Sequence, residues 1–241
     1  MAEVAAARGE YRYLLNGEPA AVSETWRLRG SPEGECQIAS ERAAHGVVIE
    51  VEAHLSAARV TWFEATWREE GARAVHALYV LRDNAVMVSR RQGDDTLEEK
   101  EIPVHHMDSP PLLFPLMRIF TGPLIAGLLD RGGRGAVILP YIVDPAAAAR
   151  LLEPQVTQRQ ARVLERQVLQ MPDGSEALAR CCEYSGDQYG IDSRFWLGED
   201  NLLLRYQWRQ DAARSWDVWQ VAGAGDQAPA SLTGSKPCLA C

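Results

Sequence analysis

Turn residues punctuate the chain from Glu10 to Val104 so often that neither a long helix nor a crossover connection fits between them. Tyr11, Tyr13 and Leu15 alternate with polar neighbours, and Asn16-Gly17 then supplies the positive φ angles of a tight hairpin. In the next segment Val22, Trp26 and Leu28 share one face, while Ser23, Thr25, Arg27 and Arg29 share the other. The residues Gly30 to Gly34 end that strand. Further strands are expected at 36–43, 47–55, 59–68, 74–82 and 85–90, with Asp83-Asn84 as a two-residue turn between the last two. Parallel strands would need crossovers of about a dozen residues or more. The spacing therefore predicts an antiparallel meander that curls or closes. The acidic run from Asp94 to Glu101 reads as a solvated edge strand or loop.

The apolar stretch 112–129 interrupts this pattern. Pro115, Arg118, Gly122, Pro123 and Gly127 lie within it, and its 18 residues are at the short end of what a bilayer requires, so a buried, broken helix is expected rather than a transmembrane segment. Asp108-Ser-Pro-Pro111 offers a helix entry, and Leu112, Leu113, Leu116, Ile119 and Phe120 recur at helical spacing, with Thr121-Gly122-Pro123 breaking or restarting the helix. Residues 136–143 form a nearly continuous apolar run, as in a buried strand, and Asp144-Pro145 opens a short helix that Pro154 limits. Pro172-Asp-Gly174 supports a hairpin between 161–171 and 175–184, against a competing helical propensity over 157–170. Strands at 188–197, 202–208 and 216–221 complete the series, before a Gly-, Ala-, Pro- and Ser-rich flexible tail over 222–241. The expected fold is mainly β (α+β): a curved antiparallel sheet, half-barrel or barrel, wrapped around a central broken helix. One domain covers 1–221, with the helical insert at about 108–131.

A net charge of -8 and a pI near 5.2 argue against nucleic acid or an anionic membrane as partner, because phosphate binding needs concentrated Lys and Arg. The N-terminus lacks the charged and apolar regions of a secretory signal, so a cytoplasmic protein is expected. Five cysteines at irregular spacing fit reduced thiols, and the adjacent Cys181 and Cys182 point to opposite faces of a strand. Cys238-Leu-Ala-Cys241 admits a redox pair, half a metal site or a prenylation box, beside the plain reading of an incidental tail. There is no Gly-x-Ser-x-Gly turn, and Gly132-Gly-Arg-Gly135 does not have phosphate-loop spacing. No cofactor is expected. His105-His106-Met-Asp108 is the densest set of potential ligands, but neighbours in an extended segment diverge, so no metal site is assigned. An acid–base role for His105, His106 or Asp108 stays open beside that of a helix-entry loop. His45, His54 and His76 fall on separate expected strands.

Trp26, Trp62, Trp67, Trp196, Trp208, Trp216 and Trp219 all lie on or beside expected strands, where alternate positions face the concave side of a curled sheet. They line a ligand cavity or fill the core. A long antiparallel meander around an internal Pro-broken helix, with the aromatic strands Asp192-Ser-Arg-Phe-Trp-Leu197 and Leu202-Leu-Leu-Arg-Tyr206, resembles the LolA-like lipoprotein-carrier half-barrels at the level of architecture. That resemblance implies an acyl-binding space between the concave face and helices.

The leading expectation is a non-catalytic, lipocalin-like binding protein for a hydrophobic or amphipathic small molecule of lipid or isoprenoid type. Trp26, Trp62, Trp67, Trp196 and Trp208 would contact the apolar part, and Arg118 or Tyr141 would anchor a polar head. Two alternatives stand beside it: an enzyme on a lipid-like substrate using His105, His106 and Asp108, and a structural module whose sheet edges pair with a partner or with a second copy in a homodimer.

Overall fold

The computed structural model describes residues 5–30, 34–105, 107, 109–142, 148–186 and 192–222. The expected turn at 31–33, His106, Asp108, the helix start at Asp144-Pro145 and the tail with Cys238 and Cys241 lie outside these residues. The first eight strands follow one another as β1 (Ala5–Leu15), β2 (Glu18–Gly30), β3 (Glu35–Ala44), β4 (Val47–Ser56), β5 (Arg59–Glu69), β6 (Val75–Leu81), β7 (Ala85–Gln92) and β8 (Asp95–Pro103). Each pairs antiparallel with the next. Asn16-Gly17 and His45-Gly46 both take positive φ, the geometry a two-residue hairpin demands.

The chain continues through β9 (Leu112–Leu113), the helix α1 (Thr121–Leu129), β10 (Arg134–Pro140), β11 (Pro154–Gln170), β12 (Glu176–Ser185), β13 (Arg194–Leu197), β14 (Leu203–Arg209) and β15 (Ser215–Ala222). Pairing of β1 with β15 joins the two runs into one curved, open sheet of 15 strands. β8 and β9 are its edges. The acidic run thus becomes an edge strand, where charge discourages pairing with another chain. Among the described residues only β9 runs parallel to its neighbour, β10.

Alternation decides what is buried. Along β2 the residues Glu24, Trp26 and Leu28 are buried and their neighbours exposed; along β4 Ile49, Val51, Ala53 and Leu55 are buried. These side chains form an inner face, on which the main core assembles with Leu116, Met117, Ile119, Phe120, Leu124 and Leu128. Gly9 is needed here because a Cβ would lie 2.6 Å from the Trp26 indole. α1 packs against β10 and β11 and also meets β5. Gly122 permits its approach to the β13–β14 turn, since a side chain there would collide with the Asn201 carbonyl oxygen. Tyr79 ties β6 to the segment after β10 by donating its hydroxyl hydrogen to the Leu152 carbonyl at 2.6 Å.

The apolar segment departs from its expected form. Leu112 and Leu113, read as helical from their spacing, form the short parallel strand instead, because Leu113 lies opposite Ile138 and the sheet offers free backbone partners. Residues 118–120 form a 3₁₀ turn, and α1 starts at Thr121, with Gly122 and Pro123 in its first turn. Pro123 begins the helix rather than breaking it, since a first-turn residue needs no intrahelical N–H partner. No helix among the described residues is long and apolar enough to cross a membrane. Over 157–170 the hairpin prevails over helical propensity. Cys182 joins the main core, while Cys181 joins a smaller cluster on the outer face with Leu169, Ala179 and Trp196.

Candidate functional site

At the end of the sheet where β1 finishes, β2 begins and β3 turns into β4, the inner face opens into a cleft of about 450 Å³. Trp67 of β5, Trp208 of β14 and Trp216 of β15 form much of its wall, with Val22, Val47, Ile49 and Ile142 between them. Tyr13 and Tyr206 continue the aromatic lining, and the Tyr13 ring meets the Trp216 indole edge-on at 6.4 Å. Trp216 donates its indole hydrogen to Gln210 Oε1 at 3.0 Å, which fixes the ring at the rim. The buried Trp67 Nε1 has no hydrogen-bond partner among the described residues.

The polar groups of the cleft come from β3 and from the 3₁₀ turn. Arg42 and Arg118 line it, and His45 stands at the rim in the β3–β4 turn. Arg118 reaches this place through a strained approach. Leu116 takes φ +70°, and Met117 N–H donates to the Pro115 carbonyl at 2.9 Å, a three-residue turn of the left-handed kind. Burial of Leu116 and Met117 in the core holds it. The Arg118 guanidinium then lies over the Tyr206 ring, 4.7 Å from its centre.

Behind this wall is Glu24, 1% exposed. Its Oε2 accepts the Tyr13 hydroxyl hydrogen at 2.6 Å and lies 4.0 Å from Arg42 Nη1; its Oε1 accepts the backbone N–H of Arg118. A carboxylate from β2 therefore satisfies the first N–H of the 3₁₀ turn, which has no partner within its own helix. Burial, and then the Glu24 charge, raise the Tyr13 hydroxyl well above its usual range, so it stays a donor. Tyr11 is shifted the same way for the same leading reason.

Of the residues expected to bind ligand, Trp67, Arg118 and Trp208 meet in this cleft. The others do not join them. Trp26 lies on the inner face but is packed in the core against Gly9. Trp62 is turned to the outer face, stacked on His54 with 6.3 Å between centroids. Trp196 belongs to the outer cluster, under the Arg205 guanidinium at 4.9 Å. Tyr141 lies beneath Arg150, whose guanidinium is 4.4 Å from its ring centre. The sequence reading missed Tyr13, Glu24, Arg42 and Tyr206. The signal available was the place of Glu24 between Val22 and Trp26 on an otherwise apolar face.

Elsewhere, His105 is exposed. No group of three or more His, Cys, Asp or Glu placed to hold a metal occurs among the described residues. Two other depressions, of about 560 Å³ and 870 Å³, have different linings: Glu41, Glu50, Glu52 and Glu64 around the first, Arg131, Arg134 and Gln158 around the second. Neither gathers aromatic rings as the cleft does.

No family model matches the chain, and no curated protein does. Among solved structures it is similar to a β-barrel-like protein of the domain of unknown function DUF1849 from Brucella abortus, at 11% identity and a TM-score of 0.49, over 92% of this chain and 98% of that one.

Proposed function

We propose that the protein binds one hydrophobic or amphipathic small molecule of lipid or isoprenoid type in the aromatic cleft, without altering it chemically. The observation that carries this reading is the convergence of Trp67, Trp208 and Trp216, from three separate strands, on one open space. Indoles remove apolar area from water at about 25 cal/mol per Å² and keep a polar edge for the rim. A volume of about 450 Å³ fits a single small ligand, since such sites span about 300–1,000 Å³. A curved antiparallel sheet carrying a helix against its inner face also resembles the lipoprotein carriers, whose acyl-binding space lies between those layers.

Two measurements test it together. Native mass spectrometry of protein purified without detergent should show a single lipid-sized adduct, and dodecanol should displace a solvatochromic naphthalene probe. Ala44→Trp fills the cleft from the end of β3 and should abolish displacement with unchanged far-ultraviolet circular dichroism. Binding that persists in Ala44→Trp, or no binding by the unmodified protein, overturns the reading.

A further inference from the structure

We propose that a second site, on the outer face, binds one phosphate group between Arg131 and Arg134 in the depression of about 870 Å³. It shares no lining residue with the aromatic cleft, so it stands or falls independently of the binding reading above. Alternation on β11 places it. Val156 and Gln158 line the depression, while Arg159 and Ala161, of the other parity, are buried.

The first ground is charge. The chain has a net charge of -8, yet the described lining of this depression holds two arginines and neither aspartate nor glutamate. Arg131 donates to the Pro110 carbonyl, a neutral acceptor, and among the described residues neither Arg134 nor Arg59 makes an ion pair. Arg59, at the start of β5, is near enough to act on Arg131. Burial, and then the Arg59 charge, lower the Arg131 guanidinium from its ordinary value, with Asp130 acting the other way. Three guanidiniums and one carboxylate leave a positive excess, which a phosphate dianion would offset.

The second ground is a fixed frame. Gly132-Gly-Arg-Gly135 lacks phosphate-loop spacing, and its first amides are already engaged. Gly132 N–H donates to the Leu129 carbonyl at 3.2 Å and Gly133 N–H to the Leu128 carbonyl at 2.9 Å, which closes the end of α1. Both glycines take positive φ, and a Cβ on Gly133 would lie 2.6 Å from the Ala161 carbonyl oxygen. The Gly133 carbonyl in turn accepts the Ala161 N–H at 2.8 Å. The turn is thus tied to both α1 and β11, and it holds the backbones of Arg131 and Arg134 beside one depression. Side chains rather than loop amides would then hold the oxyanion: two guanidinium forks, with the Ser109 hydroxyl and the Gln158 amide in the same lining. Val156, 48% exposed, offers an apolar flank to a chain carried by the phosphate.

The test is a titration of nitrogen-15-labelled protein with inorganic phosphate at neutral pH, with ionic strength held constant by chloride. The amide signals of 131–135 and 156–158 should shift saturably. Arg134→Gln, at an exposed position, should weaken phosphate about tenfold, the scale of a charged hydrogen bond, and leave the remaining spectrum unchanged. Arg131→Gln should act in the same direction, Arg134→Lys should retain part of the affinity, and Arg27→Gln, exposed on β2, should have no effect. Shifts that chloride alone reproduces, or that persist in Arg134→Gln, overturn the site. Octyl phosphate below its micellar concentration separates the sources of the phosphate. Several-fold tighter binding than inorganic phosphate supports the site with an amphiphile lying along Val156, and equal affinity supports it with free phosphate. Octanol that shifts the same signals as strongly as octyl phosphate overturns it, since the charge would then contribute nothing.

Discussion

The molecule assembles indoles and arginines twice, with opposite results. On the outer face Arg205 lies between Trp196 and Trp219, 4.9 Å and 4.1 Å from their ring centres, and makes a two-pronged ion pair with Asp217 at 2.9 Å and 2.7 Å. At the inner-face cleft Arg118 lies over Tyr206 between strands that also carry Trp67, Trp208 and Trp216, but the carboxylate is set behind the wall. Composition is nearly the same in both places. What differs is where the negative charge stands: Asp217 pairs with the Arg205 guanidinium itself, whereas Glu24 accepts the backbone N–H of Arg118 from behind the cleft wall.

The largest effects should separate structure from binding. Trp196→Ala should cost about 3–5 kcal/mol of stability, as for other buried indoles, and leave cleft binding intact in urea and displacement titrations. Equal loss of binding would mean that the two clusters are coupled. Glu24→Ala should cost a similar ~3–5 kcal/mol, because Tyr13, Arg42 and the Arg118 N–H lose a common buried partner. A loss below ~1 kcal/mol would show that water replaces the carboxylate easily. Asp217→Ala comes next, at about 1.5–3 kcal/mol for charged hydrogen bonds at a pair about one-fifth exposed. Trp208→Ala should act in the opposite sense to Trp196→Ala, weakening dodecanol binding several-fold with little change in the urea midpoint.

The smallest effect concerns Asp200, whose carboxyl is raised chiefly by burial and partly held down by the Leu202 N–H. A raised folded value favours the protonated form. Its stabilising contribution is therefore complete below the unfolded value of about 3.9 and lost as pH rises through the higher folded one. Asp200→Asn should gain on the unmodified protein as pH rises across that window, followed by urea melts at stepped pH. A gap that narrows with rising pH would reverse the sign of the argument.

Much of the fold was legible because its determinants are local. Asn16-Gly17 announces a hairpin through its φ requirement, and the faces of 22–29 follow from a period of two. The site was only half legible. Period two says which side chains share a face; it does not say which face is inside. Trp62 and Trp67 both lie on β5, yet only Trp67 is turned inward. Local bulges, one between Trp196 and Leu197, shift the phase again. Helical spacing misled at Leu112 and Leu113 because a free strand partner outweighed a propensity of a few tenths of a kcal/mol per residue.

The chain by itself settled most of the strands and their turns, since each depends on neighbours a few residues away, while the strand at Leu112–Leu113 and the choice of strand over loop for the acidic run came only with the sheet. Tertiary structure alone decided that Glu24 is buried, that Arg42 and Arg118 line the same cleft, and that three of seven tryptophans share one opening. Those outcomes join residues as far apart as β2 and β15, and only the curvature and register of the whole sheet bring them within reach of one another.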